Sequence, residues 1–156
     1  MRNSKGFTLI EMLVVLAILG MLAAAARPLL EQTVRRLHET ELRQALRTLR
    51  GGIDAYKRAA DAGQVAAPAD GNGYPPNLQA LAAGVPDLRS PNGRKIYFLR
   101  SIPRDPMADA ALPAEETWAL RASDSPPDDP RPGRDVFDVH SMAGGRALDG
   151  SNYKDW

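Results

Sequence analysis

The sequence contains no cysteine, and this absence excludes several kinds of chemistry. The 156-residue chain can form no disulfide and offers neither a thiolate nucleophile nor a cysteine-based zinc site. Histidine is almost as scarce, since His38 and His140 are the only two and lie far apart in the chain. A formal net charge of +1 provides no basic excess for binding nucleic acid. No phosphate-binding glycine loop, zinc-helix motif or nucleophile elbow occurs, so the sequence predicts a protein that is not an enzyme and has no nucleic-acid partner.

One long apolar run, residues 7–26, stands out near the start of the chain. Its twenty residues include a single charged side chain, Glu11, and Lys5 and Arg27 flank the run. A helix of that length covers about 30 Å, the thickness of the hydrocarbon core of a bilayer. The basic leader should stay in the cytoplasm, which places the residues after Arg27 on the outer side. The run therefore predicts a single transmembrane helix.

Glu11 lies inside this run, where an ionised carboxylate costs several kcal/mol unless it is neutralised or paired. A cut between Gly6 and Phe7 would create an α-amino group four residues before Glu11. The amine of one chain could then meet the carboxylate of a staggered neighbour, so that Glu11 is satisfied only in an assembly. A protonated or snorkelling glutamate at the membrane interface is the alternative that the residues leave open.

The segment Gly-Phe-Thr-Leu-Ile-Glu at 6–11 follows a short basic leader and precedes the apolar run. In this arrangement it resembles the processing signal of type IV pilins and type II secretion pseudopilins. The resemblance implies that residues 1–6 are a leader peptide, that a membrane prepilin peptidase cuts after Gly6 and methylates Phe7, and that Glu11 is required for assembly.

From residue 27 to about residue 62 apolar side chains recur every three or four positions, which predicts an extended amphipathic helix. Pro28 removes a backbone donor near its start and should kink the helix, at a position where many members of the resembled family carry a proline. From Leu42 onward we expect the apolar stripe to cover the chain's own globular part. Before Leu42 we expect it to face neighbouring copies.

The remaining residues, 63–156, are predicted to form a globular head. Residues 96–99, 117–121 and 135–141 have the composition of strands. The four prolines at 123–134 are too many for a strand. A long helix packed on a small antiparallel sheet is the simplest arrangement of these elements, and it makes the fold class α+β.

The order of motifs in the head resembles the major pseudopilin of type II secretion. The resemblance rests on a tyrosine-proline segment before a leucine-rich helix, the turn at 102–106, a strand with Trp118 and a strand with Phe137. Type IV pilins usually close the C-terminal loop with a disulfide, and the lack of cysteine favours a pseudopilin. In that family calcium commonly binds between the last strand and the C-terminus. When the loop is aligned backward from Trp156 on the family's pattern, only Asp149 and Asn152 remain as side-chain ligands, which leaves open both a calcium site and an ordinary hydrogen-bonded turn.

The resemblance implies a structural pseudopilin subunit of the cytoplasmic (inner) membrane, single-pass with a periplasmic head. It would polymerise into a periplasmic pseudopilus that drives type II protein secretion. The implied partners are copies of itself, other pseudopilins, the prepilin peptidase, an inner-membrane assembly platform and membrane lipid. The alternatives are a type IV pilin or minor pilin subunit, and a monomeric membrane-anchored periplasmic binding module.

Overall fold

One long helix, α1 (Leu9–Asp61), opens the fold. The structure, a computed structural model, describes residues 6–67 and 72–156, without the side chains at 25, 26 and 29. Of the predicted leader, residues 1–5 therefore lie outside the described residues. The helix ends where Gly63, with a φ of +65°, turns the chain out of the helical direction.

Contacts divide the chain into two units, Met1–Leu37 and His38–Trp156. In the first unit every described side chain of α1 is exposed. Within the described part of the chain, no helix is long and apolar enough to cross a membrane, so the transmembrane helix over residues 7–26 stays a prediction.

In the second unit, α1 supplies one wall of the hydrophobic core. Leu42 is its first fully buried apolar residue, and the burial continues at three- and four-residue spacing to Ala59. This confirms that the stripe from Leu42 covers the chain's own globular part. The helix residues of the core are Leu42, Ala45, Leu46, Leu49, Ile53, Tyr56 and Ala59.

The rest of the second unit contains a short helix and two small antiparallel sheets. The helix α2 (Gln79–Ala83) begins just after Asn77, whose side-chain oxygen accepts a hydrogen bond from the Ala80 N–H at 2.9 Å. The strands pair as β1 (Val85–Pro86) with β2 (Lys95–Ile96), and as β3 (Trp118–Arg121) with β4 (Asp138–Ser141). Two short 3-10 helices, Ala114–Thr117 and Tyr153–Asp155, complete the elements. A long helix packed against small antiparallel sheets confirms the predicted α+β class.

The strand predicted at 96–99 is shorter than expected. Only Ile96 of that range lies in a strand, and its partner Val85 was not predicted. The reason is a competing acceptor, because the N–H groups of Phe98 and Leu99 both bond to the Leu81 carbonyl, at 3.0 and 2.9 Å. These residues are therefore tied to α2 instead of extending β2.

The strand predicted at 135–141 begins at Asp138, although the Phe137 N–H still donates to the Arg121 carbonyl of β3 at 2.8 Å. The Val136 N–H donates to the Pro75 carbonyl at 2.8 Å, which ties this segment to the chain entering α2. The proline-rich residues 123–134 contain no strand, as predicted.

A buried polar cluster joins the turn at 102–106 to the second sheet. The Asp105 carboxylate is fully buried and accepts hydrogen bonds from the Ser141 hydroxyl at 2.5 Å and the Met107 N–H at 2.7 Å. The Trp118 ring nitrogen donates to the Pro103 carbonyl at 2.8 Å. Buried polar groups that are satisfied in this way fix one geometry for the segment.

Gly52 lies at a close contact between α1 and the segment after β2. A side chain at Gly52 would place its Cβ only 2.9 Å from Leu99 Cδ2. Glycine costs about 1 kcal/mol in a helix interior relative to alanine, yet α1 continues through this position. The packing of Leu99 on the helix therefore offsets the cost of the glycine.

We predict that Leu49→Ala destabilises the protein by about 2–5 kcal/mol, because Leu49 is fully buried and its removal leaves a cavity. Chemical denaturation of the purified full chain in detergent, followed by circular dichroism, measures this loss. Leu37→Ala is the matched control on the same helix, since Leu37 is 58% exposed and should change stability little. Equal effects of the two variants would contradict the placement of the core.

Candidate assembly segment and C-terminal loop

The predicted processing residues lie at the start of α1. Gly6 and Phe7 precede the helix, Phe7 is 75% exposed and Glu11 is exposed in the first helical turn. The hydroxyl oxygen of Thr8 accepts a hydrogen bond from the Glu11 N–H at 3.3 Å and caps the helix. This cap was not predicted, although a threonine followed three residues later by a glutamate is a known sequence signature of a helix start.

Large apolar side chains surround Glu11 on all sides of the helix, and none of them is buried by the chain itself. Such a surface requires lipid or packed neighbours, because water solvates it poorly. We call residues 7–26 the apolar segment. Its exposed large side chains are Phe7, Leu9, Ile10, Met12, Leu13, Val14, Val15, Leu16, Ile18, Leu19, Met21 and Leu22.

Glu11 is therefore a carboxylate in an apolar surface. Among the described residues its side chain has no ion-pair partner. An ionised carboxylate that enters an apolar environment without a partner carries a large desolvation cost. Any assembly or membrane that covers the apolar segment must also supply a partner or a proton for Glu11.

Pro28 lies inside α1, beyond the apolar segment. Because proline has no N–H, the carbonyl of Ala24 lacks its usual helical partner at this point. An exposed ion pair between Arg27 and Glu31, at 3.2 Å, spans the same turn. The kink at Pro28 stays a prediction.

The other predicted site residues, Asp149 and Asn152, lie in the chain after β4. We call residues 142–156 the C-terminal loop. Asp149 accepts hydrogen bonds from Arg43 of α1 at 2.7 Å, and from the Ser151 hydroxyl at 2.5 Å and its N–H at 3.0 Å. The Ser151 hydroxyl and N–H, followed by Arg43, hold the pKa of Asp149 below its ordinary value. The Asn152 amide donates instead to Asp155, at 2.7 Å.

These groups do not fit a calcium ion as they are arranged. Calcium takes six to eight oxygen ligands at about 2.3–2.6 Å. Asp149 and Asn152 instead bond to different partners, and the guanidinium of Arg43 already provides a positive charge next to Asp149. Within residues 6–67 and 72–156, no group of three or more histidine and acidic side chains could hold a metal.

Two side chains of α1 that the sequence analysis missed also bind the C-terminal half of the second unit. Glu39, 8% exposed, accepts hydrogen bonds from the Leu148 N–H and the Tyr153 hydroxyl, both at 2.9 Å. Arg50 pairs with Asp138 at 2.7 Å and donates to the main-chain oxygen of Trp156 at 2.7 Å.

The sequence contains a pattern that predicts the burial of Glu39. Glu39 lies three and seven residues before Leu42 and Leu46, which places it on the buried face of the helix. A carboxylate on such a face needs a hydrogen-bonding partner.

His140 lies in β4 beside the Arg50 and Asp138 pair, and together they line a cavity of about 410 Å³. Burial lowers the pKa of His140 below its ordinary value of about 6.5. The Asp138 carboxylate acts against this shift and the Arg50 guanidinium adds to it. The folded protein therefore favours the neutral imidazole.

The chain is similar in sequence to known proteins. The prokaryotic N-terminal methylation motif matches residues 1–26. The type II secretion system core protein G of Klebsiella pneumoniae is 32% identical over 110 residues, which cover 68% of this chain and 71% of the relative. The chain belongs to the pilin-like family that carries the N-terminal methylation motif. The core protein G of Vibrio cholerae is 30% identical over 109 residues, 68% of this chain and 67% of the relative.

A further relative is named as a component of a type IV pilus. The type IV wide pilus major component of Thermus thermophilus is 38% identical over 81 residues, about half of each chain (52% and 53%). No solved structure matches the chain.

Membership has direct consequences for the pilin-like protein. The family consists of structural subunits, so the chain is not an enzyme. Membership in this family also implies processing by a prepilin peptidase, self-polymerisation and anchoring in the inner membrane.

We predict that the stability of the pilin-like protein falls as the pH decreases from about 7.5 to 5, partly because of His140. A folded pKa below the unfolded value means that the folded state binds fewer protons. This contribution to stability is present above about pH 6.5 and is lost as the pH falls through the folded pKa. The pH dependence of the melting temperature should be flatter for His140→Gln, with pH 8 as the reference. An unchanged slope would contradict this role of burial.

Proposed function

We propose that this pilin-like protein is a pseudopilin subunit that is cut after Gly6 and polymerises into a periplasmic pseudopilus driving type II protein secretion. One structural observation is the main support for this proposal. Glu11 is a single carboxylate within an apolar segment that the chain itself does not cover.

Before assembly, the apolar segment would lie in the inner membrane with the head in the periplasm. There Glu11 must be protonated or held near the interface, because a charge in hydrocarbon is costly. In the pseudopilus the apolar segments of neighbouring subunits would pack together and replace lipid contacts. The assembled state is then favoured most if it also provides a positive partner for Glu11.

Removal of the leader would supply that partner. The new amino group at Phe7 lies four residues before Glu11, and the Thr8 cap orders the turn between them. An amine held at this depth can pair with the Glu11 carboxylate of an adjacent, axially shifted subunit. The pair removes the desolvation cost of two unpaired charges, so it also selects the register of the incoming subunit.

The choice of a pseudopilus rests on the extent of the similarities. The relatives named as type II secretion core protein G match 68% of this chain, whereas the relative named as a wide-pilus component matches 52%. The absence of cysteine also favours a pseudopilin over disulfide-closed pilins. We propose as partners copies of the subunit, other pseudopilins, the prepilin peptidase, an inner-membrane assembly platform and membrane lipid.

A type IV pilin is the second candidate, and the Thermus thermophilus relative favours it. Electron microscopy of surface fibres and assays of protein export in a deletion strain separate the two. A monomeric membrane-anchored binding module is the third reading. It would tolerate loss of Glu11 and remain uncut.

We predict that Glu11→Leu leaves leader removal intact but reduces filament assembly at least tenfold. The apolar segment then lacks the charge that pairs with the neighbouring amine. A tenfold change corresponds to about 1.4 kcal/mol. Sedimentation of sheared filaments, with immunoblotting for the subunit, measures assembly. Glu41→Leu is the matched control, since Glu41 is an exposed glutamate of the same helix outside the apolar segment. Normal filaments from Glu11→Leu would refute the role of the carboxylate.

We also predict that the mature chain begins with N-methylated Phe7. Intact-mass spectrometry of the protein purified from its own membranes, together with sequencing of the N-terminal peptide, checks this. Cells without prepilin peptidase provide the control and should retain Met1. Unprocessed protein in cells with active peptidase and normal secretion would contradict the proposal.

A further inference from the structure

The C-terminal loop has little regular structure of its own. Its described elements are the 3-10 helix Tyr153–Asp155 and a single β-bridge between Arg146 and Asn152. Ordering a loop of this kind costs about 1–2 kcal/mol per residue in backbone entropy, and the chain has no disulfide to offset that cost. Side-chain contacts to the rest of the second unit must therefore hold it.

Arg43 of α1 makes two of these contacts, one with the middle of the loop and one with its last residue. Its guanidinium donates to Asp149 at 2.7 Å and lies 4.1 Å from the centre of the Trp156 ring. The Trp156 ring nitrogen donates to the Ser151 hydroxyl at 2.7 Å, and that hydroxyl donates to Asp149 at 2.5 Å. The side chains of Arg43, Asp149, Ser151 and Trp156 therefore form a closed ring of contacts, in which Arg43 is the cation.

Two more residues of α1 extend this attachment along the same side of the helix. Glu39 lies four residues before Arg43 and Arg50 lies seven residues after it, spacings that place all three on one face. Glu39 holds the main chain at Leu148, and Arg50 holds it at Trp156. The C-terminal loop is thus attached to α1 at three residues, Glu39, Arg43 and Arg50.

We infer that Arg43 occupies the role of a cation in the C-terminal loop, so that the loop is stabilised by α1 side chains and needs no calcium. Both oxygens of Asp149 already accept hydrogen bonds from protein donors. A divalent cation at Asp149 would have to displace the guanidinium or lie next to it, and like charges at such distances repel. The inference goes beyond the proposed function, because it concerns the folded subunit and not its assembly.

The test compares the full chain in detergent with calcium and with a chelator. The melting temperature should differ by less than about 1 °C between millimolar calcium and EGTA, and calorimetry should detect no calcium binding. A calcium-dependent rise of more than about 5 °C, which corresponds to roughly 1 kcal/mol or more, would overturn the inference, and so would micromolar binding. Neither measurement depends on filament formation, so a failure here is distinct from a failure of the proposed function.

Variants test the role of the arginine itself. Arg43→Met keeps most of the aliphatic stem but removes the charge, and should lower the melting temperature by about 2–5 °C, equally with calcium and with EGTA. Arg47→Met is the matched control, because Arg47 is an exposed arginine one turn further along the helix and should leave the melting temperature unchanged. Equal melting temperatures for the two variants would overturn the inference.

Coupling between Arg43 and Asp149 gives a second readout. Asp149→Asn should lower the melting temperature by itself, but should cause much less additional loss when it is combined with Arg43→Met. Fully additive losses would show that the two side chains do not act together. If Arg43→Met fails to fold, the calcium and EGTA comparison on the unmodified protein still decides the inference.

Discussion

The structure depends on the buried side of α1 between Leu42 and Ala59. The strands of the second unit have two to four residues each, and pairs of such short strands are unstable alone in water. They are ordered because the helix supplies a continuous apolar wall on which both sheets and α2 pack. The same wall packs Leu99 next to Gly52, where an added Cβ would lie 2.9 Å from Leu99 Cδ2. The head is therefore organised by the helix, and not by its sheets.

The first part of α1 differs from this buried part, because the described chain does not cover it. Its apolar side chains are exposed, so their free energy is lowered only by lipid or by other subunits. In the proposed filament Glu11 would make this surface selective, because apolar packing alone has no preferred register, whereas a charge that becomes buried requires a partner at one position. A pilin-like chain thus uses one helix for two tasks, folding in one part and association in the other. The change in burial begins within a few residues, between the exposed Leu37 and the buried Leu42.

The C-terminal loop shows why a family resemblance alone does not assign a site. Asp149 and Asn152 are the ligand candidates because they are what remains of the resembled family's ligand pattern when the loop is aligned backward from Trp156. The structure instead pairs Asp149 with Arg43, a residue 106 positions earlier. A carboxylate in a loop has the same sequence appearance whether its counter-charge is a metal or an arginine. The difference lies in what the opposing helix presents, and this is a property of the packed structure.

Local chemistry in the sequence determined the elements with short-range causes. The apolar periodicity predicted the helix and the onset of its buried face, and the prolines of 123–134 excluded a strand, because each of these effects acts within a few residues. Only the tertiary structure decided where β2 stops, since Phe98 and Leu99 bond to the Leu81 carbonyl instead of continuing a ladder. It also decided the partners of Glu39, Arg43 and Asp105. Such choices depend on which polar groups are brought together from distant parts of the chain, and a single sequence does not encode that proximity in any local pattern.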